Sequence, residues 1–205
     1  MITRVILAVT ILISIYAMQN ESVKSRLMFN AYQINHRKEW WRFFSNGFIH
    51  ADWLHLFFNM YTFYIFGSAV EAGYNDVFGT KGPLFYILLY VGAIAMSSLY
   101  SYEKNKHNIY YNALGASGAV SAVMFAFIVL APTAQLSLFI LPGVRLPAYL
   151  FGLIILGIEH YLSRRGNTGI AHDAHFWGAI FGIVFTIALR PSLATDFIEQ
   201  IQGGR

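Results

Sequence analysis

The chain has 205 residues, of which 57% are hydrophobic and 12% charged, and its mean hydropathy is +0.50. Soluble domains carry about a quarter charged residues, so this composition points to an integral membrane protein. The absence of cysteine excludes disulfides, a thiolate nucleophile and Cys-ligated metal. The net charge of +4 is scattered rather than gathered into a basic stripe, which excludes nucleic acid as a partner.

Apolar runs of about 20 residues mark membrane crossings. The first is 2–18, "ITRVILAVTILISIYAM". Its early Arg4 and lack of a small-residue cleavage site argue against a cleaved signal peptide. Residues 19–51 are too long for a tight turn, and "HRKEWWRFFSNGF" mixes cations with Trp40, Trp41, Phe43 and Phe44. Such side chains have an apolar body and a polar tip, which suits the headgroup region. The segment reads as partly membrane-embedded or as an ordinary aromatic belt. A second crossing is expected at 52–70 and a third at 83–100. The fourth covers about 115–131 and the fifth roughly 146–162. Between them, "APTAQLSLFILPGVRLP" carries late prolines and a glycine that favour a loop or re-entrant stretch. The sixth is 171–189, and a short polar tail follows Pro191. The expectation is one domain over 1–205, all-α, with six transmembrane helices.

Ionisable and polar groups at membrane depth are costly, so each is a functional candidate. Their spacing is informative. His55 and Asn59 lie four apart on one face of the second helix, and His172 and His175 lie three apart on the sixth. Gly178 and Gly182 follow on the side of His175, a small-residue surface that admits another helix backbone. The fourth helix has a matching surface, with Gly115, Ala116, Gly118, Ala119 and Ala122 around Ser117. Helices two, four and six run the same way through the bilayer. A serine and a histidine near the starts of helices four and six can therefore meet at one depth. A serine hydroxyl becomes a nucleophile when a neighbouring base takes its proton. The oxyanion formed on attack needs preorganised donors, which His55 and Asn59 are placed to supply. Other assignments are structural. Ser121 can bond back to its own helix, Glu71 can cap or pair at the far end of helix two, and His50 can hold the interfacial segment. His36, His107 and His160 fall in loops or at helix ends.

These residues resemble the rhomboid family of intramembrane serine proteases, from the interfacial segment through helix six. Trp41-Arg42 is similar to the family's first-loop signature. His50, His55 and Asn59 in "HADWLHLFFNM" resemble its H-x₄-H-x₃-N motif. "GASG" at 115–118 resembles its G-x-S-G nucleophile motif. "AHDAHFWGAIFG" resembles its helix-six motif, with His175 before Gly178 and Gly182, and "GSAVE", ending at Glu71, also fits. The resemblance implies a six-helix bundle with a membrane-embedded first loop and a Ser–His dyad sunk below the membrane surface. Ser117 would be the nucleophile and His175 the base and then the acid, with no acidic third member. His55, Asn59 and the backbone N–H of Ser117 would form the oxyanion hole. Gly115, Gly118, Gly178, Gly182, Trp41, Arg42, His50 and Glu71 would serve packing and structure. The substrate would be a transmembrane segment of another protein, entering sideways and cut where its helix is broken. No cofactor or metal is implied. Many rhomboids place an aromatic ring four residues after the serine, against the histidine; here that residue is Ser121.

The resemblance also implies a cytoplasmic N-terminus and an outward-facing site. On that topology nine Lys/Arg lie outside (Lys24, Arg26, Arg37, Lys38, Arg42, Lys104, Lys106, Arg164, Arg165) and five inside (Arg4, Lys81, Arg145, Arg190, Arg205). This is the reverse of the usual bias. Several of the outer cations sit in the interfacial segment, where lipid headgroups can neutralise them. The lack of a transit-like presequence suggests a bacterial plasma membrane. Three rival readings are a metalloenzyme built on "HDAH", a rhomboid-like pseudoprotease that binds membrane proteins without cutting them, and a transporter. HExxH is absent, as are the paired broken helices of transporters.

Overall fold

The protein is described here by a computed structural model that covers residues 1–137, 143, 145–165 and 171–203. Each of the six expected apolar segments is helical. The first is α1 (Ile2–Gln19). Residues 19–51 then fold into three short helices, α2 (Glu21–Leu27), α3 (Ala31–Arg37) and α4 (Arg42–Ser45), followed by a 3₁₀ turn at Asn46–Phe48. Asparagine side chains start two of them: Asn20 accepts from the Val23 N–H and Asn30 from the Gln33 N–H. The long α5 (Trp53–Phe78) is capped by Asp52, which accepts from the His55 N–H at 2.8 Å. A turn at Gly79, whose φ of +57° suits glycine, leads into α6 (Gly82–Asn105), with Pro83 in its first turn.

The fourth segment is α7 (Ser117–Leu130), which has 14 residues. Two short antiparallel strands follow, β1 (Gln135–Ser137) and β2 (Arg145–Pro147), paired with Leu136 opposite Leu146. The fold is thus mostly helical rather than all-α, because part of the predicted break satisfies its backbone groups by pairing. The rest of that break, 138–142 and 144, lies outside the described residues. Next come α8 (Ala148–Arg165) and α9 (His172–Leu189). The expected polar tail is instead the helix α10 (Ser192–Ile201). Leu193 and Phe197 lie four apart on its inner face; Leu193 is buried, and Phe197 packs against the cluster of Met124, Phe125 and Ile128.

Large apolar side chains point outward along the bundle. Leu12 on α1, Leu54 and Phe57 on α5, Leu84 on α6, Leu153 on α8 and Val184 on α9 are all more than half exposed. Meanwhile Thr3, Thr10, Ser14, Ser97, Ser98, Ser101 and Thr186 are buried. An exterior this apolar is stable only against lipid. Helices long and apolar enough to cross a membrane are α1, the run Trp53–Asn105 that holds α5 and α6, and α9; α7 is apolar but shorter. The chain is an integral membrane protein.

The bundle is centred on α7, which buries ten of its residues. Its closest partner is α9, through glycine contacts at two levels. A Cβ added at Gly178 would lie 2.1 Å from the Gly118 carbonyl oxygen, and one added at Gly182 would lie 2.1 Å from that of Ala122. The contacts advance four residues on both helices, so α7 and α9 run parallel. Lower down, the Tyr74 hydroxyl on α5 meets Thr186 Oγ1 on α9 at 2.7 Å. At the same end Glu71 accepts from the N–H groups of Ile2 and Thr3 and from the Thr3 hydroxyl. Thr3 in turn meets Tyr86 at 2.8 Å. The free first-turn donors of α1 are thereby satisfied, and α1, α5 and α6 are tied together.

Because each glycine contact is with backbone, no side-chain rotation can relieve a clash. Gly182→Val is expected to destabilise the protein by roughly 1–3 kcal/mol. Thermal unfolding in detergent should show a lowered midpoint, while Gly157→Ala, at a site with open space, should leave it nearly unchanged.

Candidate active site

The N-terminal ends of α5, α7 and α9 converge on an open cavity of about 860 Å³, lined among others by His55, Asn59, Ser117, Ser121, His172 and His175. Ser117 is the first residue of α7, and His175 lies in the first turn of α9. The parallel, glycine-mediated packing brings their ends together, and Ser117 Oγ lies 2.7 Å from His175 Nε2. This is hydrogen-bonding distance for a hydroxyl donating to a neutral imidazole, the arrangement in which histidine takes the serine proton.

His55 sits across the serine. Gly115 makes its approach feasible: a Cβ there would lie 2.9 Å from His55 Nε2, and its φ of +123° is a backbone state that side chains strain. The Nδ1 of His55 accepts, at 3.5 Å, from the Ala51 N–H, which leaves the proton on Nε2, facing the nucleophile turn. Asn59 lies one turn deeper and is buried. Its amide donates one hydrogen to the His55 carbonyl at 3.0 Å, leaving a second for the cavity. Among the described residues no partner takes the Ser117 N–H, one of the free donors of the helix start. Three donors therefore belong to residues that line the same cavity as the hydroxyl.

His50 is fully buried and holds this turn from behind. Its Nε2 accepts from the Ala116 N–H at 3.3 Å. Its proton is therefore on Nδ1, which donates to Ser14 Oγ on α1 at 2.9 Å. Ser14 passes its own hydrogen to the Phe48 carbonyl at 2.9 Å. Burial, with His55 alongside, pushes the His50 pKa down to about 3.

The first loop braces the same turn. Phe29 and Ala113 exchange backbone hydrogen bonds at 2.9 and 3.1 Å, and the Gly115 N–H donates to the Asn46 carbonyl at 3.0 Å. Arg42, itself buried, donates to the carbonyls of Ser25 and Met28 and pairs with Glu39 at 2.5 Å. Trp41, its neighbour in the expected signature, leaves its ring about half exposed. Trp40 and Phe44 are similarly exposed while Phe29 and Ile34 are buried, so the loop is amphipathic.

Three features lie beyond the sequence reading. Glu159, on α8, receives two histidines: Oε2 is 2.6 Å from His172 Nδ1 and Oε1 is 3.1 Å from His175 Nδ1. The resemblance implied no acidic third member, yet a carboxylate reaches the far side of the histidine. The signal was present, since Glu159 is the one acidic residue inside the apolar segment 146–162. No ring from α7 faces His175, because position 121 is a serine; the ring of His172 meets it edge to face at 5.9 Å. Finally, Asp173 accepts from Lys104 on α6 at 3.1 Å and from Ser163 on α8, closing the cavity rim. Glu159, His172 and His175 also form the one group among the described residues whose donor atoms, all within 4.8 Å of one another, could hold a metal ion.

The rhomboid domain model matches residues 37–192, most of the chain. The chain belongs to the rhomboid family. It is 31% identical over 157 residues to the Arabidopsis thaliana "RHOMBOID-like protein 12, mitochondrial", a match covering 71% of this chain and 45% of that protein. It is 25% identical to the rhomboid protease AarA of Providencia stuartii, over 85% of this chain and 66% of the relative. It is 28% identical to the rhomboid protease GlpG of Haemophilus influenzae, over 72% of this chain and 68% of the relative. The rhomboid matches thus span less than half of the plant protein and about two thirds of the bacterial ones.

The neutral state of His50 sets a pH signature. An unfolded histidine protonates near 6.5, whereas the folded His50 does so only near 3. Below about pH 6.5 the unfolded chain takes up a proton that the folded chain refuses, so stability falls with acid through this window. His50→Gln should lower the unfolding midpoint at pH 7 and flatten its decline between pH 6.5 and 4.5, measured as the difference from the unaltered protein.

Proposed function

We propose that this rhomboid is an intramembrane serine endopeptidase that cleaves transmembrane segments of other membrane proteins. The observation that carries the reading is the 2.7 Å contact between Ser117 Oγ and His175 Nε2 at the floor of an open cavity. Ser117 attacks the scissile carbonyl as His175 Nε2 takes its proton. The tetrahedral oxyanion is held by His55 Nε2–H, the free hydrogen of Asn59 and the Ser117 N–H. His175 then protonates the leaving amine, and water hydrolyses the acyl-enzyme by the same route. The metal-capable group makes a chelator control necessary.

The short α7 supports the depth of the site. Fourteen residues rise about 21 Å, against a hydrocarbon core of about 30 Å. If the last turn of α7 lies at one surface, Ser117 sits about 10 Å below the other, and the cavity brings water down to it. The proposed topology is six crossings in one domain, the first loop lying in the membrane interface, the N-terminus cytoplasmic and the cavity facing outward. The proposed host is a bacterial plasma membrane; two of the three relatives come from bacteria. Both of those relatives are named as rhomboid proteases. Ser121, standing where many rhomboids carry an aromatic, favours a second reading: a pseudoprotease that binds membrane proteins without cutting them.

Cleavage of a reporter transmembrane protein in proteoliposomes, with chelator present, separates these readings. Ser117→Ala and His175→Ala should each lower the rate by at least about 10³-fold while still binding the reporter. Cutting that survives Ser117→Ala overturns the mechanism, and reporter binding without cutting by the unaltered protein favours the pseudoprotease.

A further inference from the structure

The dyad accounts for one nitrogen of His175. The other faces a carboxylate. A histidine that is to accept the serine proton on Nε2 must carry its own hydrogen on Nδ1, and it becomes a cation at the moment of attack. Both requirements concern what stands at Nδ1. Here that group is Glu159 Oε1, at 3.1 Å.

The carboxylate is itself oriented. Its second oxygen is held by His172 Nδ1 at 2.6 Å, and His172 is buried. Only about a fifth of the Glu159 side chain is exposed, and the same holds for His175. A carboxylate fixed at one oxygen and shielded from water is placed to stabilise a neighbouring cation. The position four residues after the nucleophile is Ser121, so no aromatic from α7 stacks on His175. Its hold comes instead from α8, through Glu159, and from the His172 ring at its edge.

We propose that Glu159 is the positioning residue of this protease site, making the arrangement a Ser117–His175–Glu159 triad rather than a dyad. The inference rests on the serine-protease reading above. Glu159 fixes His175 in the tautomer with hydrogen on Nδ1 and stabilises the imidazolium formed when Ser117 attacks. It exchanges no proton, and the proton from Ser117 stays on Nε2 until the leaving amine takes it. The direct contacts of both Nδ1 atoms with the carboxylate favour this role over metal binding, which would require those nitrogens to present lone pairs to an ion.

Glu159→Gln separates charge from shape. The amide oxygen still accepts from His175, and the amide nitrogen donates to the other tautomer of His172, so a clasp between α8 and α9 would survive. In proteoliposomes the variant should lose about 10²-fold in kcat with KM nearly unchanged. The other titratable groups at the cavity remain in place: Asp52 and His55 at the start of α5, Lys104 on α6, and His172 and Asp173 on α9. Glu159→Asp, which keeps the charge at a longer reach, should recover part of kcat.

Unchanged kcat in Glu159→Gln, with Ser117→Ala inactive, overturns the triad and leaves the dyad intact. Persistent activity of Ser117→Ala overturns the serine mechanism itself. Activity of the unaltered protein that is lost to chelator and restored by zinc assigns the cluster to a metal and overturns the triad. Should neither variant at 159 fold, ¹⁵N-histidine spectra of the unaltered protein decide, with the His175 signal assigned by its loss in His175→Ala. Protonation of His175 on Nδ1, with a strongly downfield proton, is expected; protonation on Nε2 overturns the proposal.

Discussion

The contact on which the site depends is the approach of α7 to α9. Gly178 lies against the Gly118 carbonyl and Gly182 against that of Ala122, closer than any side chain would allow. In lipid, apolar side chains gain little by leaving their surroundings for one another. Helix association therefore relies on close packing and on the few polar contacts it permits. Here the close packing sets both the separation of the helices and their register. The register places the first residue of α7 beside the first turn of α9, so a packing surface becomes a reacting pair.

A second constraint holds the turn before Ser117. This segment lies outside the helices, so its backbone groups need partners from elsewhere in the chain. The first loop supplies the missing partners: Phe29 pairs with Ala113, Asn46 accepts from Gly115, and His50 accepts from Ala116. Arg42 in turn holds the loop together by taking up the carbonyls of Ser25 and Met28. A loop with exposed Trp40 and Trp41 on one side thus bears on the nucleophile with its other. His50 contributes as a neutral group, because its burial makes the charged form too costly.

The polar groups of the site are concentrated at one end of the bundle, where the cavity lets water reach them. Elsewhere in the interior, Thr3 pairs with Tyr86 and Tyr74 with Thr186. A carboxylate at Glu159 would be a liability inside an apolar helix. Two histidine neighbours offset that cost, and one of them is the residue whose charge changes during the proposed reaction. The neighbouring clasp of Lys104, Asp173 and Ser163 ties α6, α8 and α9 around the same opening.

The sequence by itself determined the membrane class and the six helical segments, and it marked Ser117 and His175 as groups on two small-faced helices that can meet. Hydropathy runs, residue spacing and the small-residue surfaces are local properties of the chain. The same holds for His55 and Asn59 sharing one face of one helix, which their four-residue spacing fixes. What the tertiary structure decided depends on residues far apart in sequence. The reach of Glu159 to His175 follows from how α8 packs on α9, and no periodicity within either helix specifies it. The β1–β2 pairing and the inward face of α10 likewise required partners from other parts of the chain. The role of His50 was legible only as an interfacial anchor, because its two partners, Ser14 and Ala116, lie 36 and 66 residues away. Hydrogen bonds across such distances are fixed by the packing of the bundle, and that packing is a property of the whole chain.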